Sequence, residues 1–254
     1  MHLFDANCAV GAWPTDRLVY ETVDGLLAEM DRLGIKQALV SHTLAQHFDP
    51  PEGNRILMQE LAGHERLLPC WTLLPPSCGE MGTVQELVQD LARSSVRAVR
   101  LYPRIHSYSL DTWQCGDLLT ALSERRYVLL IDMEQTDWSE VARLCEAYPD
   151  LSVVITALGY RHLRSLFGLW AHYSNLYCDL SNFSTYLGVE ETLQRFNSER
   201  LLFGTGLPTL DGGGPIARLF YTRAPESDLE AIAHGNLERL LARVQLGKER
   251  AHER

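Results

Sequence analysis

The segment YVLLIDMEQTDWSEVARLCEAYPDLSVVIT, residues 127–156, contains the unit from which the fold is predicted. It begins with an apolar run, YVLLID (127–132), and ends with another, LSVVIT (151–156). Between them, SEVARLCEAY (139–148) has the period of an amphipathic helix. Short runs that are apolar on both faces and separated by one helix pair in parallel through a right-handed crossover. The segment therefore predicts a buried β–α–β unit.

The same alternation extends over the whole chain. Six further apolar runs are HLFDA (2–6), KQALVS (36–41), LLPCWTL (67–73), VRAVRLY (96–102), LYCDLS (176–181) and RLLFGT (200–205). Segments of helical period follow the runs, near 19–33, 52–63, 83–94, 115–126, 162–173, 189–196, 214–222 and 227–242. About eight such units in 254 residues are typical of a (β/α)8 TIM barrel.

An open doubly wound α/β sheet is the competing architecture. That fold usually has a Gly-rich phosphate turn after its first strand, and DANCAVGAWP (5–14) lacks the GxGxxG spacing. We therefore expect one barrel domain over residues 1–254, with a short polar tail from about 245. The stretch HTLAQHFDPPEGN (42–54) is predicted to be a long loop after the second strand.

Composition and charge exclude several classes of partner. The chain has 33 acidic and 23 basic residues, a formal net charge of -10, and it lacks the clustered lysines and arginines that bind phosphate backbones or anionic membranes. No apolar run approaches the roughly 20 residues of a membrane span, and the first residues lack a secretory signal pattern. The six cysteines show no CxxC or paired metal spacing. We expect a cytoplasmic protein with no nucleic-acid or membrane partner.

Candidate functional residues come from the barrel geometry. Side chains that do chemistry in such barrels project from the carboxyl ends of the strands and from the loops that follow. Applied to the predicted strands, this rule selects Asn7, His42, Arg100, Tyr102, Asp132, Glu134, Thr156, Asp179 and Thr205, with His106 in the loop after the fourth strand.

The order of sequence blocks resembles one family over roughly residues 3–243. The blocks are FDANCAVG (4–11), LLPCWTLLP (67–75), VRAVRLYP (96–103), YVLLIDME (127–134), LSVVITALG (151–159), LYCDLSNF (176–183), RLLFGTGLP (200–208) and AHGNLERLL (233–241). They resemble the amidohydrolase-related proteins, which are TIM-barrel hydrolases and decarboxylases that use a divalent metal. The resemblance implies a metal centre at the barrel mouth and a small-molecule substrate.

The residues expected to bind that metal are different here. In the family, the first strand usually ends in Asp-x-His-x-His, the fifth and sixth strands each supply a histidine (on the fifth sometimes a modified lysine), and the eighth supplies the aspartate of Gly-Thr-Asp. The matching positions in this chain are Asn7, Ala9, Asp132, Ala157 and Gly206. Alanine and glycine side chains have no donor atom, and a catalytic zinc needs three protein ligands. We therefore predict that no metal or other cofactor is bound.

Two interpretations of Arg100 and Asp132 remain open. Because Asp132 matches a metal-ligand position, we expect it to point into the barrel, where a buried carboxylate needs a cationic partner. Arg100 and Asp132 then form an ion pair that simply replaces the metal. Alternatively, Arg100 binds a substrate carboxylate while Asp132 donates or abstracts a proton.

The other candidates also have two interpretations. His42 and His106 are either ordinary loop or helix-start histidines, or acid–base groups that overhang the mouth. Asp179 matches a family aspartate that usually organises its loop. For the functional interpretation we assign His42 a catalytic role beside Arg100 and Asp132. Substrate binding is assigned to Asn7, Tyr102, His106, Glu134, Thr156, Asp179 and Thr205.

Three functional hypotheses follow. The first is a metal-independent hydrolase-like or lyase-like enzyme for a small carboxylate-bearing amide, ester, lactone or aromatic acid. The second is a catalytically inactive barrel that binds a ligand or a partner protein. The third is a metal enzyme with a rearranged site built from His42, Asp132, Glu134 and Asp179. A homodimer is also possible in each case, since family members often dimerise and HLRSLFGLWAHY (162–173) offers an apolar helix face.

Overall fold

Eight parallel strands form the centre of the molecule in the computed structural model, which describes residues 1–15 and 18–247. The strands are β1 (Leu3–Val10), β2 (Ile35–His42), β3 (Leu67–Thr72), β4 (Ala98–Arg100), β5 (Val128–Asp132), β6 (Ser152–Thr156), β7 (Leu176–Asp179) and β8 (Leu201–Leu202). They are hydrogen-bonded in chain order. The Ala6 N–H donates to the Phe203 carbonyl and the Ala9 N–H to the Leu207 carbonyl, so the chain after β8 returns to β1. This closure confirms the predicted (β/α)8 barrel.

Helices follow each strand and cover the outside of the barrel. They are α1 (Val23–Leu33), α2 (Thr43–His47), α3 (Pro50–Glu60), α4 (Val84–Arg93), α5 (Thr112–Glu124), α6 (Trp138–Ala147), α7 (Leu163–Trp170), α8 (Gly188–Phe196), α9 (Gly213–Tyr221), α10 (Glu226–Glu230) and α11 (Asn236–Ala242). Capping boxes begin two of them, Thr83 with Glu86 at α4 and Asp137 with Glu140 at α6. The last predicted helix is divided, because Ala231–Gly235 is a π-helical turn between α10 and α11.

The predicted loop over 42–54 is wrong, because it contains α2 and the start of α3. The His42 side chain accepts a hydrogen bond from the Leu44 N–H and begins α2. The Asp49 side chain accepts from the Glu52 N–H, with proline at the first helical position of α3. Short capped helices of this kind lack the long periodic pattern from which helices are recognised in a sequence.

The apolar face of α7 packs against the barrel. Leu163, Leu166, Phe167 and Trp170 are buried, and the Trp170 indole N–H donates to the Leu176 carbonyl at 2.9 Å. The face that 162–173 was expected to offer to a second copy is therefore occupied by the protein's own core, and a homodimer stays a prediction.

Three further expectations concern the tail, membranes and cysteines. Residues 245–247 have no regular secondary structure, and the rest of the predicted tail, 248–254, lies outside the described residues. None of the helices in the described ranges has the length and apolar character needed to cross a membrane. All six cysteines are free, and all but Cys78 are buried.

Candidate functional site

A buried arginine lies at the centre of the barrel mouth. Arg100 ends β4 and is only 4% exposed. Its Nη1 donates to Asp132 Oδ1 at 3.0 Å and to the Tyr102 hydroxyl at 3.2 Å, and its Nη2 donates to Asn7 Oδ1. Burial by itself would lower the pKa of Arg100, but Tyr102 and Asp132 oppose this and the net shift is upward. Arg100 is therefore a permanent cation that joins three strands.

Asp132 is oriented through one of its two oxygens. It ends β5, and its Oδ1 accepts hydrogen bonds from both Arg100 and the Thr156 hydroxyl. Within residues 1–15 and 18–247, no hydrogen bond reaches its Oδ2. The Asp132 side chain is 23% exposed, against 5% for Arg100. This geometry fixes the carboxylate while leaving one oxygen available to a bound molecule.

Two further carboxylates lie deeper in the barrel. Asp5 accepts hydrogen bonds from the N–H groups of Asn7, at 2.9 Å, and Thr205, at 3.0 Å, and from the Thr205 hydroxyl. Asp179 accepts from the Asn7 side-chain amide and from the Ser181 hydroxyl, each at 2.9 Å. Burial raises the pKa of each carboxyl to about 6. Neither carboxylate forms an ion pair with another described residue.

Asn7 links the two halves of this cluster. Asn7 and Ala9 are alternate residues of β1 and both line the mouth cavity, while the pairing of β1 with β2 is irregular between Asp5 and Cys8. The Asn7 backbone bonds Asp5, its amide nitrogen bonds Asp179, and its amide oxygen accepts from Arg100. A neutral amide is suited to this position because it donates to a carboxylate and accepts from a guanidinium at once.

A cavity of about 70 Å³ lies above the cluster. All five positions that match the family's metal ligands line it, and they share it with Arg100 and Tyr102 from β4 and the loop after it. The lining residues are Asn7, Ala9, Trp13, Ser41, Gln46, Arg100, Tyr102, Asp132, Ala157, Gly206, Leu207, Thr209 and Leu210. The five positions that match the family's metal ligands in the sequence therefore lie together around one cavity in the structure.

The residues around this cavity do not fit a divalent metal. The side chains of Ala9, Ala157 and Gly206 supply no donor atom. The two remaining positions, Asn7 and Asp132, are both hydrogen-bonded by the Arg100 guanidinium, whose positive charge would repel a metal ion at the same place. No group of three or more His, Cys, Asp or Glu side chains in the described ranges is arranged to hold a metal.

The predicted site residues divide into those near the cavity and those away from it. Asn7, Arg100, Tyr102 and Asp132 line it. Thr156 and Thr205 donate to the carboxylates of Asp132 and Asp5, and Asp179 accepts from the Asn7 amide. The remaining three, His42, His106 and Glu134, do not line it.

His42, His106 and Glu134 have other surroundings. His42 Nδ1 caps α2, its Nε2 faces Glu60 at 3.6 Å, and burial lowers its pKa. His106 packs edge-on against Tyr102 with ring centroids 6.1 Å apart, and burial lowers its pKa as well. Glu134 is exposed, and only its backbone carbonyl is engaged, by Arg104 at 2.8 Å. None of the three places a charged group over the cavity.

Sequence reasoning missed residues in the floor and the roof of the site. Asp5 was considered only as part of a motif, and because the strand is irregular between Asp5 and Cys8, alternation along β1 gave no signal for its position. Trp13 and Gln46 cover the cavity, and they lie in irregular or briefly helical segments where sequence periodicity gives no signal. Their positions depend on how the loops fold over the barrel.

Comparisons with known proteins agree with this architecture. The chain matches the family model described as "Amidohydrolase" over residues 46–243, more than half of its length. A comparison with curated proteins found no match. An uncharacterised TIM-barrel protein from Bordetella bronchiseptica is 17% identical, with a TM-score of 0.74 over 96% of this chain and 99% of that one.

Two solved decarboxylases are also similar in structure. A dihydroxybenzoic acid decarboxylase from Polaromonas, with bound manganese and 2-nitroresorcinol, is 14% identical with a TM-score of 0.75 over 95% of this chain and 97% of that one. A 5-carboxyvanillate decarboxylase from Novosphingobium aromaticivorans, with manganese, is 11% identical with a TM-score of 0.74 over 95% and 96%. At these identities the likeness shows the fold alone. The family match over most of the chain shows more: this protein belongs to the amidohydrolase family.

Proposed function

We propose that the protein is a metal-independent enzyme that acts at the mouth cavity on a small carboxylate-bearing amide, ester, lactone or aromatic acid. One observation carries the proposal: Asp132 is held in place by Arg100 and Thr156 through Oδ1, while Oδ2 is unbonded at the cavity wall. An acid–base group must be both positioned and accessible, and Asp132 has both properties.

Arg100 has the chemistry to recognise the substrate. A guanidinium has five N–H donors, and its hydrogen bonds to Asp132, Tyr102 and Asn7 do not use all of them. A substrate carboxylate can therefore approach the same cation that orients Asp132. In hydrolysis, the Asp132 carboxylate takes a proton from water as the water oxygen bonds to the acyl carbon, and returns it to the departing amine or alkoxide as the C–N or C–O bond breaks. In decarboxylation, Asp132 first takes a proton from solvent and then delivers it to the ring carbon as the C–C bond to the carboxylate breaks and carbon dioxide leaves. The structurally similar decarboxylases also act on carboxylated aromatic rings.

Substrate entry requires movement of the cavity roof. Small-molecule sites usually have volumes of roughly 300–1,000 Å³, whereas this cavity has about 70 Å³. Trp13 and Leu210 cover it from irregular segments after β1 and β8. Displacement of these two side chains would open the cavity without disturbing the strands beneath.

A second candidate is an inactive barrel that binds a ligand or a partner protein. The small cavity and the mutual hydrogen bonding of Arg100, Asp132 and Asn7 favour it, because the cluster is already satisfied without a ligand. The third hypothesis, a metal site of His42, Asp132, Glu134 and Asp179, receives no support. His42 caps a helix, Glu134 points to solvent and Asp179 lies buried beside Asn7.

The test combines ligand binding with turnover on chelator-treated protein. A panel of benzoates, N-acyl amino acids and carboxylated lactones is screened by thermal shift, and the stabilising compounds are incubated and analysed by chromatography. The Asp132→Asn variant should keep the thermal shift and lose turnover by at least about 100-fold. Glu134→Gln, an exposed carboxylate two residues away, is the matched control and should leave turnover unchanged.

Each other outcome has a defined meaning. Turnover by Asp132→Asn at the wild-type rate contradicts the assigned role of Asp132. Compounds that bind, lose binding in Arg100→Lys and are never converted identify the inactive barrel instead. Activity that appears only after a metal is added contradicts the metal-independent mechanism.

A further inference from the structure

A groove of about 880 Å³ runs along the outside of the barrel between α7 and α8. Phe167 and Gly168 of α7 line it together with Arg164 and Arg195, and Tyr160, which precedes α7, also belongs to the lining. It is separate from the mouth cavity and shares no lining residue with it. We call it the α7–α8 groove.

The α7–α8 groove is positively charged on an acidic protein. Arg161, Arg164 and Arg195 line it with one acid, Glu191, which is paired with Arg195 at 3.1 Å. Neither Arg161 nor Arg164 forms an ion pair with a described residue. On other helices, exposed arginines are paired within their own helix, as in Arg32–Glu29, Arg55–Glu52 and Arg93–Asp90. The groove therefore has unneutralised positive charge, although the chain carries a net charge of -10.

Apolar surface accompanies this charge. The Arg195 guanidinium lies over the Phe167 ring at 4.8 Å and the Phe196 ring at 5.7 Å, which keeps it at the groove wall. In the chain directly after the lining residue Thr185, Tyr186 is 89% exposed and Leu187 is 52% exposed. Clustered exposed apolar side chains of this size are typical of interaction surfaces.

Gly168 keeps the floor of the groove open. It lies inside α7, where glycine costs roughly 1 kcal/mol relative to alanine. A Cβ added there would meet no atom within 4 Å, so the fold does not require glycine at this position. The missing side chain leaves room for a side chain or backbone from outside.

The positive charge of the α7–α8 groove favours one class of partner. In a symmetric dimer that used this groove on both copies, the same lining of three arginines and one glutamate would meet on each side, and two patches of net positive charge would repel. A carboxylate-rich segment is attracted to them instead. An open groove between two helices also suits a chain segment better than a small molecule, which needs a site that encloses most of its surface.

We propose that the α7–α8 groove binds an acidic segment of a different protein. Carboxylates of that segment pair with Arg161 and Arg164, and an apolar side chain between them lies over Gly168 against Phe167. The interaction leaves the mouth cavity open, so it is independent of the proposed catalytic function.

The test uses a fluorescein-labelled peptide, DEFEDLDE, and measures its binding by fluorescence polarisation. The control peptide KKFKKLKK keeps the apolar residues and reverses the charge. Gly168→Leu fills the floor and Arg164→Glu reverses one charge, so each should weaken binding of DEFEDLDE at least tenfold. Gly168→Ala, which leaves most of the floor open, and Arg93→Glu, on a distant helix, should not. Circular dichroism melting checks that every variant is folded.

Three results would overturn the proposal. The first is DEFEDLDE binding no more tightly than KKFKKLKK, or with a Kd above about 1 mM. The second is binding of DEFEDLDE that Gly168→Leu and Arg164→Glu leave unchanged. The third is a dimer in analytical ultracentrifugation that Gly168→Leu dissociates, which would assign the groove to a second copy of this chain.

Discussion

Asp132 and Asp5 are both carboxylates that project toward the barrel axis, but their surroundings differ. Asp132, on the β4–β6 side, is hydrogen-bonded to a guanidinium through one oxygen and is 23% exposed. Asp5, on the β1–β8 side, is fully buried and receives hydrogen bonds from Asn7 and Thr205, neither of which is charged. One side of the mouth therefore contains an ion pair whose carboxylate is partly exposed, and the other contains a fully buried carboxyl whose hydrogen-bond donors carry no charge.

The difference is the basis for proposing that one part of the mouth carries out chemistry. A carboxyl that is surrounded by backbone and hydroxyl donors holds two strands together but cannot reach a bound molecule. A carboxylate that is fixed through one oxygen and accessible through the other can. The β1–β8 side therefore maintains the barrel closure, and the β4–β6 side is the candidate reactive side.

Removal of the guanidinium should have the largest effect. Arg100→Met leaves Asp132 with only the Thr156 hydroxyl among its described donors and removes the guanidinium donor from the Asn7 amide oxygen. Breaking a buried pair in this way costs about 3–5 kcal/mol. Urea denaturation at pH 7 measures the free energy of unfolding. Arg100→Lys keeps the charge and should lose distinctly less stability. A loss below about 1 kcal/mol in Arg100→Met would mean that the ion pair does not organise the mouth.

Neutralisation of the sealed carboxyl should have a smaller, pH-dependent effect. Burial raises the pKa of Asp5 to about 6 in the folded protein, from an ordinary value of 3.8. The folded state binds the extra proton between these values. The contribution of the Asp5 carboxyl to the free energy of unfolding is therefore fully present below about pH 4 and is lost as pH rises through about 6.

The Asp5→Asn variant cannot lose this contribution, because its amide does not titrate. Relative to wild type, its free energy of unfolding should increase by about 1–3 kcal/mol between pH 4 and pH 7, since each pKa unit corresponds to about 1.4 kcal/mol. Urea denaturation across this range measures the difference. If the difference in free energy of unfolding between Asp5→Asn and wild type stays constant with pH, Asp5 is ionised throughout this range. The proposed contrast between a buried, protonatable Asp5 and the ion-paired Asp132 would then be wrong.

Restoration of the family's eighth-strand carboxylate should have the smallest effect. Gly206 has φ +75°, and a Cβ there would lie 2.8 Å from Leu210 Cδ1. Gly206→Asp should therefore cost about 1 kcal/mol in urea denaturation. It should bind neither zinc nor manganese in titration calorimetry, because Arg100 keeps its bonds to Asn7 and Asp132. Gly206→Ala is the control for backbone strain, and stoichiometric metal binding by Gly206→Asp would contradict the assignment of Arg100 as the resident cation.

Much of the barrel could be predicted from the sequence. Each predicted apolar run overlaps an observed strand, as YVLLID (127–132) overlaps Val128–Asp132. Burial on both faces leaves a strong local signal in such runs. Short helices fixed by single capping contacts, such as Thr43–His47, leave a weak one, and that segment was predicted wrongly.

The site was predicted in part. The strand-end rule selected Asn7, Arg100, Tyr102 and Asp132, which line one cavity. It also selected His42, which caps a helix, and Glu134, which points to solvent. Position along a strand restricts where a side chain begins, but the direction of a residue at or beyond the strand end depends on its neighbours.

By itself, the sequence determined two properties of this protein. Its apolar runs, alternating with segments of helical period, require a parallel sheet covered by helices, and the side chains of Ala9, Ala157 and Gly206 lack any donor atom for a metal. Only the tertiary structure decided that Arg100 bonds both Asn7 and Asp132 and that Asp5 is sealed from solvent. Those contacts join residues far apart in the chain, and their energies depend on burial and distance, which arise only when the barrel closes.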